Sequence, residues 1–205
     1  MTDRDVRRGY ETHAERYAAA RSTDDRERAI LDSFFGDCGG LECVLDAGCG
    51  GGSPVLRRLA ADATAVGLDF ARNLLDVAAD AAPDARLVHG DVTALPLRDD
   101  AVDAVVAVDS VIHVPVPEHA ATFAEFARVL RPGGRLLVSE APAPFERSHD
   151  DWLGAGAEMA WHMAGTERTR EHLRDAGFRV TEYWPAPDTG PDEPPRPPFF
   201  AARVD

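Results

Sequence analysis

The alternation Asp46-x-Gly48-x-Gly50-x-Gly52 follows the apolar run Val44-Leu45 and leads into Ser53-Pro54-Val55-Leu56. A carboxylate at a strand end, then glycines, then a helix start makes a turn that a ligand can approach closely, because no Cβ holds it off the backbone. This is the chemistry of a nucleotide-type cofactor cradle. A second carboxylate, Asp69 in Gly67-Leu68-Asp69-Phe70, closes the next apolar run, where it could accept hydrogen bonds from two vicinal ribose hydroxyls. A GxGxxG dinucleotide fingerprint would place its last glycine at position 53, where serine stands, so the pyrophosphate reading weakens.

These residues need strands to carry them. Apolar runs predict strands over 43–47, 64–69, 85–89, 103–108, 135–139, 178–184 and 199–203. Helical spacing predicts helices over 5–21, 24–35, 53–61, 71–81, 117–130 and 166–176. The breaker Arg131-Pro132-Gly133-Gly134 separates helix from strand, 142–165 reads as irregular, and prolines from 185 to 198 read as a stiff surface connection. Alternation of strand and helix means a parallel sheet, and continuous runs such as Ala104-Val105-Val106-Ala107-Val108 mean a sheet covered on both faces. The length of 205 residues suits one α/β domain.

Further motifs follow in order: His89-Gly90-Asp91-Val92 with Leu95-Pro96, then Val102-Asp103-Ala104-Val105-Val106, Val111-Ile112-His113-Val114, and Val129-Leu130-Arg131-Pro132-Gly133-Gly134. With the glycine turn and Asp69, this set resembles the class I S-adenosylmethionine-dependent methyltransferases, small-molecule (methyltransferase-11-like) type, over nearly the whole chain. The resemblance implies a Rossmann-like, doubly wound, mostly parallel seven-stranded sheet with an antiparallel C-terminal strand and helices on both faces. It implies S-adenosylmethionine as cofactor, with Gly48, Cys49 and Gly50 passing under its methionine part and Asp46 helping to place its amino group. Asp69 would hold the ribose, Phe70 and Leu74 would lie by the adenine, and Asp91 with the Val92 amide would read the adenine edge. Asp109 and Ser110 would face the methionine end and the acceptor. Ala71 and Leu74 depart from the serine and methionine frequent there. The cofactor's sulfonium favours nearby carboxylates and carbonyls, and the turn from 46 to 53 offers no basic side chain.

His113 matches a histidine in a Leu-His-His-Val-like segment of related enzymes and is the candidate catalytic base, the competing reading being a histidine that only packs there. The resemblance places Tyr10 and Tyr17 on an N-terminal helix over the cofactor, within capping helices spanning 1–40; both could equally anchor that helix to the sheet. Residues 142–165, with Phe145, Trp152, Met159, Trp161, His162 and Met163, fall where relatives build a substrate lid, and suggest an apolar or planar acceptor. Asp109-Ser110-Val111-Ile112 is no amino-methylating DNA motif, and no Pro-Cys nucleophile is present. Two other readings stay open: a nicotinamide-dependent oxidoreductase, and a cofactor-binding partner subunit without catalysis.

The chain holds 36 acidic and 22 basic residues, net −14, and all its basic residues are arginine. A lysine-free, aspartate-rich surface suits a high-salt cytoplasm, with coding bias as the competing origin. Such a charge disfavours nucleic acid as a partner, and no apolar run suggests a membrane span or signal core. A small-molecule substrate, a cytoplasmic location and a monomer or homodimer are expected. Cys38, Cys43 and Cys49 have no metal-ligand spacing, so reduced thiols and no metal are expected.

Overall fold

A computed structural model describes residues 3–21, 24–36, 40–52, 54–61, 63–152, 156–188 and 196–205. Cys38, Ser53 and residues 189–195 of the proline-rich connection lie outside the described residues. The elements run α1 (Asp3–Thr12), α2 (Ala14–Ala20), α3 (Asp25–Gly36), β1 (Cys43–Ala47), α4 (Val55–Leu59), β2 (Thr64–Asp69), α5 (Arg72–Ala81), β3 (Arg86–His89) and β4 (Val102–Ala107). After two short 3-10 turns, Val111–His113 and Val116–Glu118, come α6 (His119–Val129), β5 (Leu130–Ser139), β6 (Phe145–Trp152), β7 (Ala157–Met163), α7 (Thr166–Asp175), β8 (Phe178–Trp184) and β9 (Phe199–Val204).

Seven strands form one sheet in the order β3-β2-β1-β4-β5-β9-β8. The pairs from β3 to β5 are parallel, and β9 runs antiparallel to both β5 and β8. The order reverses beside β1, so the carboxyl ends of β1 and β4 diverge into a crevice.

Period-two alternation divides the buried side chains between two layers. Val44, Ala104, Val106 and Leu137 pack with Ile30, Phe34 and Leu56 on one face. Leu45, Val105, Leu136 and Val138 pack with Phe123, Phe126 and Leu173 on the other. A third cluster, Val6, Tyr10, Ala14, Ala71, Leu74, Met159 and Ala160, lies apart from both layers and roofs the crevice.

Three local expectations are corrected. The helix expected over 5–21 breaks at His13, where Thr12 turns its hydroxyl back to the Arg8 carbonyl at 2.7 Å, a bond that competes with helix propagation. Strand β5 begins at Leu130, five residues early, because Leu130 already pairs with Val102 and the glycine breaker forms an irregularity inside the ladder, with Gly133 at φ +77°. The segment read as irregular over 142–165 contains a β-hairpin, pairing Phe145 with Met163 through Trp152 with Ala157. Strand β6 is exposed nearly throughout, so its sequence carries no buried alternation to announce it.

Candidate active site

The site grows from four strand ends. Asp46 lies one residue before the end of β1, Asp69 ends β2, Asp91 follows β3 and Asp109 follows β4. The turn after β1 is held by its own amide groups: Gly48 and Cys49 both donate to the Leu68 carbonyl, at 2.8 and 2.9 Å. The Gly50 amide donates to Asp69 Oδ2 at 2.9 Å and the Gly52 amide to the Cys49 carbonyl at 2.9 Å. These four N–H groups are therefore engaged within the protein. A phosphate cradle needs such amides turned toward the ligand, whereas these four are spent within the protein and the carboxylates Asp46 and Asp69 flank the turn, a setting suited to a cation.

Glycine is demanded at position 48 for two reasons. Its φ is +87°, and a Cβ there would lie 2.3 Å from Ser110 Cβ, so the backbone of the turn after β1 lies against the Ser110 side chain in the turn after β4.

Asp69 is buried, and its other oxygen accepts the Ala71 amide at 2.9 Å, so one carboxylate ties the β1 turn to the start of α5. Burial outweighs those bonds and pushes its protonation up to about 6. Asp46, 4% exposed, is pushed up to about 7 by burial and by its neighbour Asp69. Asp91 Oδ1 accepts from the amide and hydroxyl of Thr93, at 2.8 and 2.7 Å. Asp109 has φ +53°, a left-handed backbone rare for aspartate, and is fixed by Ser139, whose hydroxyl accepts its amide at 2.8 Å. Such strain is retained where neighbours over-determine it, as beside a functional cavity.

A cavity of about 270 Å³ lies over these ends. It gathers Tyr10, Tyr17, Gly48, Gly50, Asp69, Phe70, Leu74, Asp91, Val92, Asp109, Ser110 and His113, twelve of the fourteen expected residues. The other two, Asp46 and Cys49, line a smaller pocket of about 40 Å³ behind the turn, which shares Tyr17, Gly48 and Gly50 with the large one. The Cys49 side chain packs into the core, and burial pushes its thiol far up. Among the described residues, the buried Ser110 Oγ has no hydrogen-bond partner, a polar atom left for a ligand.

The roof is aromatic. The Tyr10 ring lies 4.9 Å from Tyr17, 5.0 Å from Trp152 and 6.0 Å from Phe70, centroid to centroid. The Tyr10 hydroxyl meets His113 Nε2 at 2.7 Å, and His113 Nδ1 meets the Ala160 carbonyl at 2.8 Å.

Sequence reasoning missed Gly90, Thr93, Val114, Pro115 and Glu118 in the large cavity and Arg21 in the small one. Arg21 lies 3.1 Å from Glu27 and 3.2 Å from Asp109. Its one signal is its place four residues after Tyr17, on the same helical face.

The family model "Methyltransferase domain" matches residues 45–138, which hold the turn and every strand end just described. Methyltransferase GfsG of Streptomyces halstedii is 40% identical over 138 residues, 63% of this chain and 48% of its own. The 27-O-demethylrifamycin SV methyltransferase of Amycolatopsis mediterranei is 33% identical over 147 residues, 66% of this chain and 53% of its own. The chain thus spans about half the length of these two relatives. In fold it is similar to the 1,6-didemethyltoxoflavin-N1-methyltransferase of Burkholderia thailandensis, solved with its substrate and S-adenosylhomocysteine: TM-score 0.74, 18% identity, 98% of this chain and 88% of that one. Its ordered strand-end motifs, its sheet and these matches together support the class I S-adenosylmethionine-dependent methyltransferase family for this chain.

Proposed function

We propose that this chain methylates a small, largely apolar molecule that carries no negative charge, using S-adenosylmethionine bound across the turn after β1. The observation that carries the reading is the donor set: four engaged turn amides, four carboxylates (Asp69, Asp91, Asp109, Glu118) and, among the described residues, no arginine lining the large cavity. That set fits a sulfonium and an ammonium, and it opposes both a pyrophosphate and an anionic acceptor. When bound, the cofactor supplies a methyl group activated by positive sulfur.

The chain's own residues hold and orient. Asp69 takes the ribose hydroxyls, Asp91 and the Val92 amide take the adenine edge, and Phe70 and Leu74 flank the ring. Asp46 and Asp109 draw the amino group, while Arg21, in the pocket behind the turn, takes the carboxylate. Gly48 and Gly50 pass beneath, with the Cys49 backbone between them. Ser110, His113, Val114 and Pro115 border the acceptor side. The helices of 1–40 and the lid of 142–165 close over both ligands and exclude water, so much of the acceleration comes from positioning. The acidic, lysine-free composition supports a high-salt cytoplasm as the working medium. The acceptors in the relatives' names, a rifamycin and a toxoflavin precursor, support a small molecule.

Calorimetry in concentrated KCl tests the cofactor, with S-adenosylmethionine and S-adenosylhomocysteine both expected to bind. Asp69→Asn should weaken either by about 1–3 kcal/mol through lost charge-assisted hydrogen bonds. Absence of binding to folded wild-type protein sinks the reading, and binding of NADH in its place would favour an oxidoreductase. Transfer of labelled methyl into a small-molecule fraction of a lysate tests catalysis; binding without transfer would leave a non-catalytic partner subunit.

A further inference from the structure

His113, the base candidate, has a geometry that suits another task. A carbonyl only accepts, so the 2.8 Å contact with Ala160 requires Nδ1–H. In the neutral ring Nε2 then carries the lone pair, and the Tyr10 hydroxyl donates to it at 2.7 Å. Both ring nitrogens are therefore engaged, by α1 on one side and by lid strand β7 on the other. The imidazole stands 5.4 Å from the Tyr10 ring and 6.3 Å from Trp161, within the aromatic roof.

We propose that His113 is a positioning residue: acting through Tyr10, it fastens α1 and β7 to the turn after β4, so the roof holds its closed shape before the cofactor arrives. The inference rests on the cofactor reading given above. Three observations converge on it. The joined segments are remote in sequence, with Tyr10 and His113 separated by 103 positions and His113 and Ala160 by 47. The residues next to His113, Ser110 on one side and Val114 and Pro115 on the other, line the cavity, so the imidazole transmits the roof's placement to the cavity wall. Burial also holds the ring neutral, its protonation lowered to about 4, so a proton from an acceptor finds neither a free lone pair nor a receptive ring. Ordering the roof in advance removes part of the entropy cost of binding.

The test compares S-adenosylhomocysteine affinity by calorimetry in wild type, His113→Phe, His113→Gln, Tyr10→Phe and the Tyr10→Phe/His113→Phe double variant. Failure of the wild type to bind would overturn the cofactor reading, separately from this inference. Given wild-type binding, His113→Phe and Tyr10→Phe should each weaken affinity about 5- to 20-fold, and the double variant should be no weaker than the worse single one. Glutamine can donate to Ala160 and accept from Tyr10, so His113→Gln should stay within about twofold of wild type. Tyr10→Phe removes one oxygen and keeps the comparison open if His113→Phe does not fold. Wild-type affinity in both phenylalanine variants, or a His113→Gln loss as large as that of His113→Phe, overturns the proposal.

Discussion

Asp46 and Asp69 are buried carboxylates flanking the turn after β1. Both are raised, to about 7 and about 6, so between the ordinary carboxylate range and neutrality the folded chain holds protons that the unfolded chain has lost. Their contribution to stability is present at low pH and is lost as pH rises through about 6 to 7. A cationic ligand binds the ionised forms, so it expels protons. Affinity for S-adenosylmethionine should therefore rise between about pH 5.5 and 7.5, with proton release visible as buffer-dependent calorimetric heats; a flat profile with no release would remove these carboxylates from the site. Of the cavity-lining residues, those in the ordered motifs were legible because they sit at strand ends. Arg21 and Glu118 were not, since a lone charge on a helix or turn looks like any solvated surface residue. The Tyr10–His113 bond was invisible because nothing local links two positions so far apart.

At the level of elements, the parallel strands and their covering helices could be read because burial on both faces forces unbroken apolar runs. The β6–β7 hairpin could not, because β6 is polar and exposed and takes its conformation from pairing with β7. The turn after β1 differs from other glycine turns in what surrounds it. Gly48 and Gly177 share a φ of +87°, but a Cβ at Gly48 would collide with Ser110, whereas at Gly177 it would meet nothing within 4 Å. Gly177→Ala should cost about 1–2 kcal/mol, the backbone term alone. Gly48→Ala should cost about 2–5 kcal/mol, since overpacking against Ser110 adds to it, with loss of cofactor binding. Urea midpoints of the two variants check this, and equal midpoints would show that the turn and Ser110 are not in enforced contact.

For the whole molecule, the net charge of −14 sets a general repulsion against local ion pairs such as Arg21–Glu27 and Arg128–Glu125, and we expect the repulsion to prevail. Salt weakens each pair slightly and relieves the general repulsion more. The melting temperature should climb as KCl is raised from about 0.1 M to 2 M, where the Debye length falls to a few ångströms. A falling melting temperature would mean that attraction between unlike charges dominates and that the composition is no adaptation to salt. The sheet order carries a different consequence. Strand β8 joins the sheet only through β9, which is made after it yet sits between β5 and β8. Until Phe199–Val204 joins the sheet, β5 keeps a bare edge and β8 lacks its partner strand. The nascent polypeptide therefore passes through a window in which an apolar ladder stands open to chaperones or to another copy of itself, and that window shuts only when Phe199–Val204 emerges and slots home.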